Sequence, residues 1–81
     1  LKLYRAQKGW RLCHVDAYRL QSASDLEALG IYEFMQAPNC ITTIEWAERV
    51  KKIWPRGAKI ISIKALGPDD REISVSEYSG R

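Results

Sequence analysis

Two carboxylates in this chain each stand at the end of an apolar run. Asp16 ends the first run, and Glu45 directly follows the β-branched run of residues 40–44. In open α/β sheets, ligands gather at the carboxyl ends of the strands, because side chains and helix N-termini converge there. A carboxylate at that edge can hold Mg²⁺, directly or through its waters, or can orient a water that attacks a γ-phosphate. An acid at a strand end is also a common turn or cap residue, so position alone leaves both interpretations open.

Other side chains near these acids also allow more than one interpretation. His14 alternates with Asp16 on one side of the predicted strand, and a lone histidine is typical of a hydrogen-bonded structural residue. With a single histidine, no serine-histidine-acid arrangement can be completed. Trp46 can pack its indole against a nucleotide or a partner, or can belong to the core. Tyr18 and Arg19 can bind a phosphate or pair with nearby acids.

Composition describes a single small globular domain over residues 1–81, neither disordered nor fibrous. The chain is 46% hydrophobic and carries a formal net charge of +3, with basic and acidic residues interspersed. The two cysteines, Cys13 and Cys40, lack the spacing of a zinc site or a redox pair, and we expect small buried hydrophobes of a reducing cytoplasm. Lys51 and Lys52 lie in the densest basic cluster, which predicts a solvated helix end. No apolar run approaches the ~20 residues of a membrane span, so we expect no membrane association.

The hydrophobic pattern predicts the elements that position the acids. Residues 1–6 and 10–17 alternate as two strands of a hairpin, and residues 40–44 form a strand that is apolar on both faces and therefore covered on both sides. Between them, Ser22 and Asp25 give the pattern of a capping box, and Gly30 can end the helix in a left-handed conformation.

The second half of the chain predicts one more helix and a hairpin. Leu26 and Leu29 are expected on one face of the first helix, residues 31–35 continue with a turn or two, and residues 47–53 can form a further helix. Residues 59–66 and 71–78 alternate cleanly around a Gly-Pro-Asp-Asp turn, which predicts a closing antiparallel hairpin.

Several spaced motifs together carry a family resemblance. They are HVDAYRL at residues 14–20, LGI at 29–31, IEWAER at 44–49, and Pro55 ahead of a hairpin entered through Arg71. In this order, over nearly the whole chain, they resemble the back half of the TsaE family. These proteins are the P-loop ATPases of bacterial tRNA threonylcarbamoyladenosine synthesis.

The resemblance implies an α/β fold: part of a P-loop NTPase-like, mostly parallel sheet, with short helices and a C-terminal antiparallel hairpin. It makes Asp16 similar to the catalytic, Walker B-like acid and Glu45 similar to the magnesium-side carboxylate. Trp46 resembles the tryptophan beside the nucleotide pocket. Arg71, with Asp70, falls where the family's hairpin approaches ATP.

The resemblance also implies cofactors and partners. The family binds ATP and Mg²⁺ and works in the cytoplasm with TsaD and TsaB proteins, so it meets tRNA indirectly. It does not itself make the carbamoyl transfer.

One departure from the family pattern changes the expected activity. The 81 residues contain no G-x-x-x-x-G-K-[ST], the loop whose backbone amides and lysine bind phosphates in the family. Ala47 also stands where the family often has proline. We therefore expect the C-terminal part of a TsaE-like ATPase domain that, alone, neither binds ATP tightly nor hydrolyses it.

Two alternatives remain open from the sequence. One is a non-catalytic protein-interaction fragment, whose exposed strand edges would favour self-association. The other is a small RNA-associated domain, for which binding would fall steeply with salt.

Overall fold

A three-stranded sheet carries the two acids. In the computed structural model, which describes residues 1–80, its strands are β1 (Lys2–Arg5), β2 (Arg11–Asp16) and β3 (Cys40–Glu45), in that spatial order. A short 3₁₀ turn at Gln7–Gly9 joins β1 to β2, which pair antiparallel as predicted. β2 and β3 pair parallel, which requires a long crossover between them.

Two short helices form this crossover. α1 spans Ala23–Ala28 and α2 spans Ile31–Gln36, and Gly30 separates them with a left-handed φ of 79°. The Gly30 prediction is therefore confirmed, because a residue without Cβ adopts this conformation at little cost.

The predicted capping box is wrong in its hydrogen bonds. Ser22 is the N-cap of α1, but its hydroxyl lies 2.7 Å from the hydroxyl of Ser24 and makes no cap bond. The Asp25 carboxylate accepts from the backbone N–H of Gln21 at 3.1 Å, one residue before the cap. Asp25 therefore still binds the backbone at the start of α1, but at the residue before the N-cap and not at the N-cap itself.

The core lies on one face of the sheet. Its buried residues come from β2 and the residue after it, from both helices, and from a 3₁₀ helix after β3 (Ala47–Ile53): Cys13, Val15, Ala17, Ala23, Leu26, Ile31, Val50 and Ile53. Leu29 was expected beside Leu26 but is 52% exposed, because it is the C-cap residue beyond the last turn of α1.

The opposite face of the sheet is open within residues 1–80. Burial alternates along β3, and Ile41 is 56% exposed. The prediction that β3 is covered on both sides is therefore wrong for this part of the chain, because the helices pack against one face only. This open face carries Asp16 and Glu45.

The helix predicted after β3 is confirmed in its bounds and is a 3₁₀ helix. It spans Ala47–Ile53 and is interrupted at Val50, whose φ and ψ are −128° and 36°. The indole N–H of Trp54 donates to the carbonyl of Ala47 at 2.9 Å. This hydrogen bond joins the residue after the segment to its first residue.

The predicted C-terminal hairpin is confirmed as a separate two-stranded sheet. β4 (Lys59–Ala65) pairs antiparallel with β5 (Arg71–Glu77), and Ile61 and Ile63 face Val75 and Ile73 across the ladder. None of the helices described in residues 1–80 is both long and apolar enough to cross a membrane.

Candidate functional site

Asp16 and Glu45 form the last matched pair of the parallel β2–β3 ladder. The pairing continues one step further, because the backbone N–H of Ala17 donates to the carbonyl of Glu45 at 2.9 Å. Opposite residues of a parallel ladder project from the same face, so both carboxylates lie on the open face at one sheet edge. The prediction that β2 and β3 bring these two acids to a common edge is confirmed.

Each carboxylate is held through one oxygen. Oδ1 of Asp16 accepts from the backbone N–H of Tyr18 at 3.0 Å, which ties the acid into the turn after β2. Oε1 of Glu45 lies 2.7 Å from Nε2 of His14. The second oxygen of each acid accepts no hydrogen bond from the described residues, so it can face a ligand or water.

His14 and Thr43 complete a cluster that we call the polar block: His14, Asp16, Thr43 and Glu45. His14 lies directly opposite Thr43 in the ladder, and its Nδ1 is 3.0 Å from the Thr43 hydroxyl. The expectation of a hydrogen-bonded histidine is met, and its partners are functional candidates. Sequence reasoning missed Thr43, although its alternation with Glu45 along β3 was a signal of a shared face.

Trp46 follows Glu45 in an unusual backbone conformation. Its φ of 57° is left-handed, a region that bulky residues rarely occupy, and its side chain is 53% exposed. The alternative of a core tryptophan is therefore wrong. Its ring packs edge-to-face on Tyr18, with ring centroids 5.0 Å apart. The guanidinium of Arg49 lies 5.1 Å from the Tyr18 ring centroid, a cation–π contact that the sequence analysis did not identify.

Asp70 and Arg71 lie where β5 leaves the hairpin turn. Nη1 of Arg71 donates to the carbonyls of Gly67 at 3.0 Å and of Asp70 at 2.8 Å. Within residues 1–80, these contacts keep Arg71 on its own turn and do not join it to the polar block. A role of Asp70 and Arg71 in binding ATP stays a prediction.

The two cysteines are free thiols with different surroundings. Cys13 is fully buried in the core and Cys40 is half-buried, as expected of small apolar residues. Burial, and secondarily the neighbouring Cys40, raises the pKa of the Cys13 thiol. A thiol of this kind is inert rather than nucleophilic at neutral pH.

The carboxylate oxygens of the polar block are the ligand type that hard cations such as Mg²⁺ prefer. The described residues contain no group of three or more His, Cys, Asp and Glu side chains able to hold a metal ion, which argues against an all-protein cage. Mg²⁺ needs no such cage, because it keeps several waters and uses one or two carboxylates together with substrate phosphates. Asp16 and Glu45 lie next to each other, and each has one carboxylate oxygen that accepts no hydrogen bond from the described residues. This pair fits the way in which Mg²⁺ binds to proteins.

The amino-acid sequence matches a known family. The family model described as "Threonylcarbamoyl adenosine biosynthesis protein TsaE" matches residues 1–73. This chain belongs to the TsaE family. All five residues that the resemblance singled out lie inside the matched segment: Asp16, Glu45, Trp46, Asp70 and Arg71.

Three curated TsaE proteins, each named as a tRNA threonylcarbamoyladenosine biosynthesis protein, are similar to this chain. The protein of Treponema pallidum (strain Nichols) is 37% identical over 65 residues, which are 80% of this chain and 47% of that protein. The Bacillus subtilis (strain 168) protein is 33% identical over 70 residues, covering 86% of this chain and 42% of that protein.

The third relative, from Rickettsia bellii (strain RML369-C), is 33% identical over 66 residues, covering 80% of this chain and 44% of its own length. The chain thus spans less than half the length of each of these TsaE proteins. No solved structure matched the chain.

Proposed function

We propose that this chain supplies the magnesium-side carboxylates of a TsaE-type ATP site that serves tRNA threonylcarbamoyladenosine biosynthesis. The observation that carries the proposal is the pairing of Asp16 with Glu45 at the end of two parallel strands. Family membership supports the pathway, since the similar proteins are named for it.

The two acids have different roles in this proposal. Glu45 would bind Mg²⁺ through its second carboxylate oxygen. Asp16, fixed by the Tyr18 amide, accepts a hydrogen bond from water and orients it toward the γ-phosphate. When bound, Mg²⁺ neutralises charge that develops on the phosphate oxygens.

One aromatic and one basic residue supply nucleotide contacts in the same proposal. Trp46 offers an exposed indole beside the carboxylates, and its strained backbone keeps the ring at the edge of the sheet. Arg71 uses only Nη1 in its turn, so its other N–H groups can reach a phosphate. The backbone carbonyl of Asp70 accepts from Nη1 at 2.8 Å, so Asp70 contributes by orienting the Arg71 guanidinium.

The glycine-rich phosphate-binding loop has to come from outside these 81 residues, because they contain no G-x-x-x-x-G-K-[ST] sequence. The loop's backbone amides and lysine provide most of the attraction for a triphosphate. Catalysis therefore needs the phosphate-binding half as well. The working assembly in this proposal is cytoplasmic and includes TsaD-like and TsaB-like proteins, with tRNA contacted through them.

A chimera tests the proposal. The phosphate-loop portion of the Bacillus subtilis TsaE is fused ahead of this chain, and ATP hydrolysis and threonylcarbamoyladenosine formation are measured with TsaD, TsaB and tRNA. We expect ATP-dependent modification, and Asp16→Asn should lower ATP hydrolysis by about 100-fold, as loss of a proton-accepting group does.

The matched control for that experiment is Glu33→Gln, which neutralises an exposed acid of α2 away from the polar block. It should hydrolyse ATP like the unchanged chimera. A chimera that folds and hydrolyses ATP equally well with Asp16→Asn would refute the assignment of Asp16. Salt-sensitive tRNA binding by the 81-residue chain itself would instead favour the RNA-associated alternative.

A further inference from the structure

We propose that His14 is a positioning residue, which fixes the Glu45 carboxylate so that one oxygen is presented to the metal side of the site. This inference rests on the proposed function, in which Glu45 faces Mg²⁺. It concerns a residue that acts through Glu45 and touches no substrate itself.

The register of the sheet makes the contact possible. His14 lies opposite Thr43, and Glu45 is two residues further along the same face of β3, so the imidazole reaches Glu45 diagonally. Nε2 lies 2.7 Å from Oε1 of Glu45, and Nδ1 lies 3.0 Å from Oγ1 of Thr43. Both ring nitrogens are engaged, so the ring cannot flip without losing both partners.

The donors and acceptors assign one tautomer. A carboxylate can only accept, so Nε2 of His14 carries a proton and donates it to Glu45; the Thr43 hydroxyl, which can donate or accept, then donates to Nδ1 of the neutral ring. A neutral imidazole satisfies both contacts at once. Glu45 therefore sets the tautomer, Thr43 holds the opposite ring nitrogen, and the two contacts together fix the orientation of the ring.

The consequence is a carboxylate that is ordered before any ligand binds. The Glu45 side chain is 60% exposed, and an exposed glutamate otherwise samples several rotamers. Because Oε1 is bonded to His14, the other carboxylate oxygen of Glu45 stays available to a ligand. Hydrogen-bond partners of this kind hold metal ligands in orientation, and their loss lowers metal affinity by about 10–100-fold.

The first arm of the test observes the imidazole itself in the 81-residue chain. With ¹⁵N-labelled histidine, NMR should show a protonated Nε2 and an unprotonated Nδ1 in the unchanged protein. Glu45→Ala removes the acceptor that requires a proton on Nε2, so it should mix the two tautomers and speed exchange of the Nε2 proton; Thr43→Val should shift the Nδ1 signal and leave the proton on Nε2. An imidazole that is a tautomer mixture already, and that ignores both substitutions, would overturn the proposal.

The second arm uses Mn²⁺ as a paramagnetic probe for the metal side. Amide signals at Asp16 and Glu45 should broaden as Mn²⁺ is added, and His14→Ala should raise the concentration needed by about 10-fold. His14→Gln retains an N–H donor and should restore most of the effect. Backbone spectra of each variant verify that the chain remains folded.

The outcomes separate this inference from the proposed function. If Mn²⁺ broadens the amides of Asp16 and Glu45 equally in the unchanged protein and in folded His14→Ala, the positioning role is wrong and the metal role stands. If Mn²⁺ leaves those amides unaffected while the imidazole responds to Glu45→Ala, the metal role is wrong. In that case His14 would have no positioning role toward a metal ion either.

Discussion

Asp16 faces Glu45 across the last pair of the parallel β2–β3 ladder, on the sheet face opposite the helices. Twenty-nine positions separate these two residues in the chain, and the α1–α2 crossover brings them together. Two carboxylates side by side repel one another unless a cation, a proton or hydrogen bonds compensate. The Tyr18 amide and the His14 ring provide part of that compensation.

The 81-residue chain alone should show no micromolar binding of Mg-ATP. The carboxylates can attract a metal, but the backbone amides and lysine of a phosphate loop are missing from these residues. Isothermal titration calorimetry with Mg-ATP checks this. A micromolar Kd would mean that another part of the chain binds the triphosphate.

Leu26→Ala should destabilise the chain by about 2–5 kcal/mol, because Leu26 is fully buried and its truncation leaves a cavity. The matched control is Leu29→Ala, which truncates a side chain that is 52% exposed and should change stability by no more than about 0.5 kcal/mol. Urea unfolding followed by circular dichroism measures both. Equal effects would show that α1 packs on the sheet through another face.

Gly30→Ala should cost about 1–2 kcal/mol, because residue 30 has a left-handed φ of 79° that a Cβ disfavours. The space around Gly30 is open, so any loss reports backbone strain alone. Gly67→Ala is the matched control: its surroundings are equally open, and its φ lies outside the left-handed region. Thermal unfolding of the two variants should differ, and identical midpoints would contradict the assigned turn.

The unfolding free energy should fall in alkaline solution through Cys13. Burial raises the pKa of this thiol in the folded chain, so the native state binds its proton more tightly than the unfolded state. The Cys13 contribution is therefore complete below the unfolded thiol's pKa and is lost as the pH rises above it. Urea unfolding at about pH 7 and about pH 10 should show a smaller decline in Cys13→Ala than in the unchanged chain. A decline of the same size in both proteins would exclude Cys13 as its source.

The elements that sequence predicted best were those with a strong local signal. Alternation and a Gly-Pro-Asp-Asp turn gave the β4–β5 hairpin, and Gly30 marked the break between the two helices. Asp16 and Glu45 were placed at a common edge because strand ends converge in an α/β sheet. The structure confirms each of these predictions.

Features that depend on tertiary contacts could not be predicted from the sequence. The diagonal contact between His14 and Glu45 depends on the β2–β3 register, which periodicity does not specify. The two-sided cover expected for β3 failed because burial depends on where the helices pack, and the left-handed φ of Trp46 has no local sequence signal.

A double-mutant cycle on Asp16 and Glu45 tests the central claim most directly. In the chimera, the Mg²⁺ dependence of ATP hydrolysis is measured for Asp16→Asn, Glu45→Gln and the double variant. If the two carboxylates serve one metal–phosphate site, the double variant should lose much less activity than the product of the two single losses, as groups acting as a unit do. Fully multiplicative losses, with unchanged Mg²⁺ dependence, would contradict a shared site.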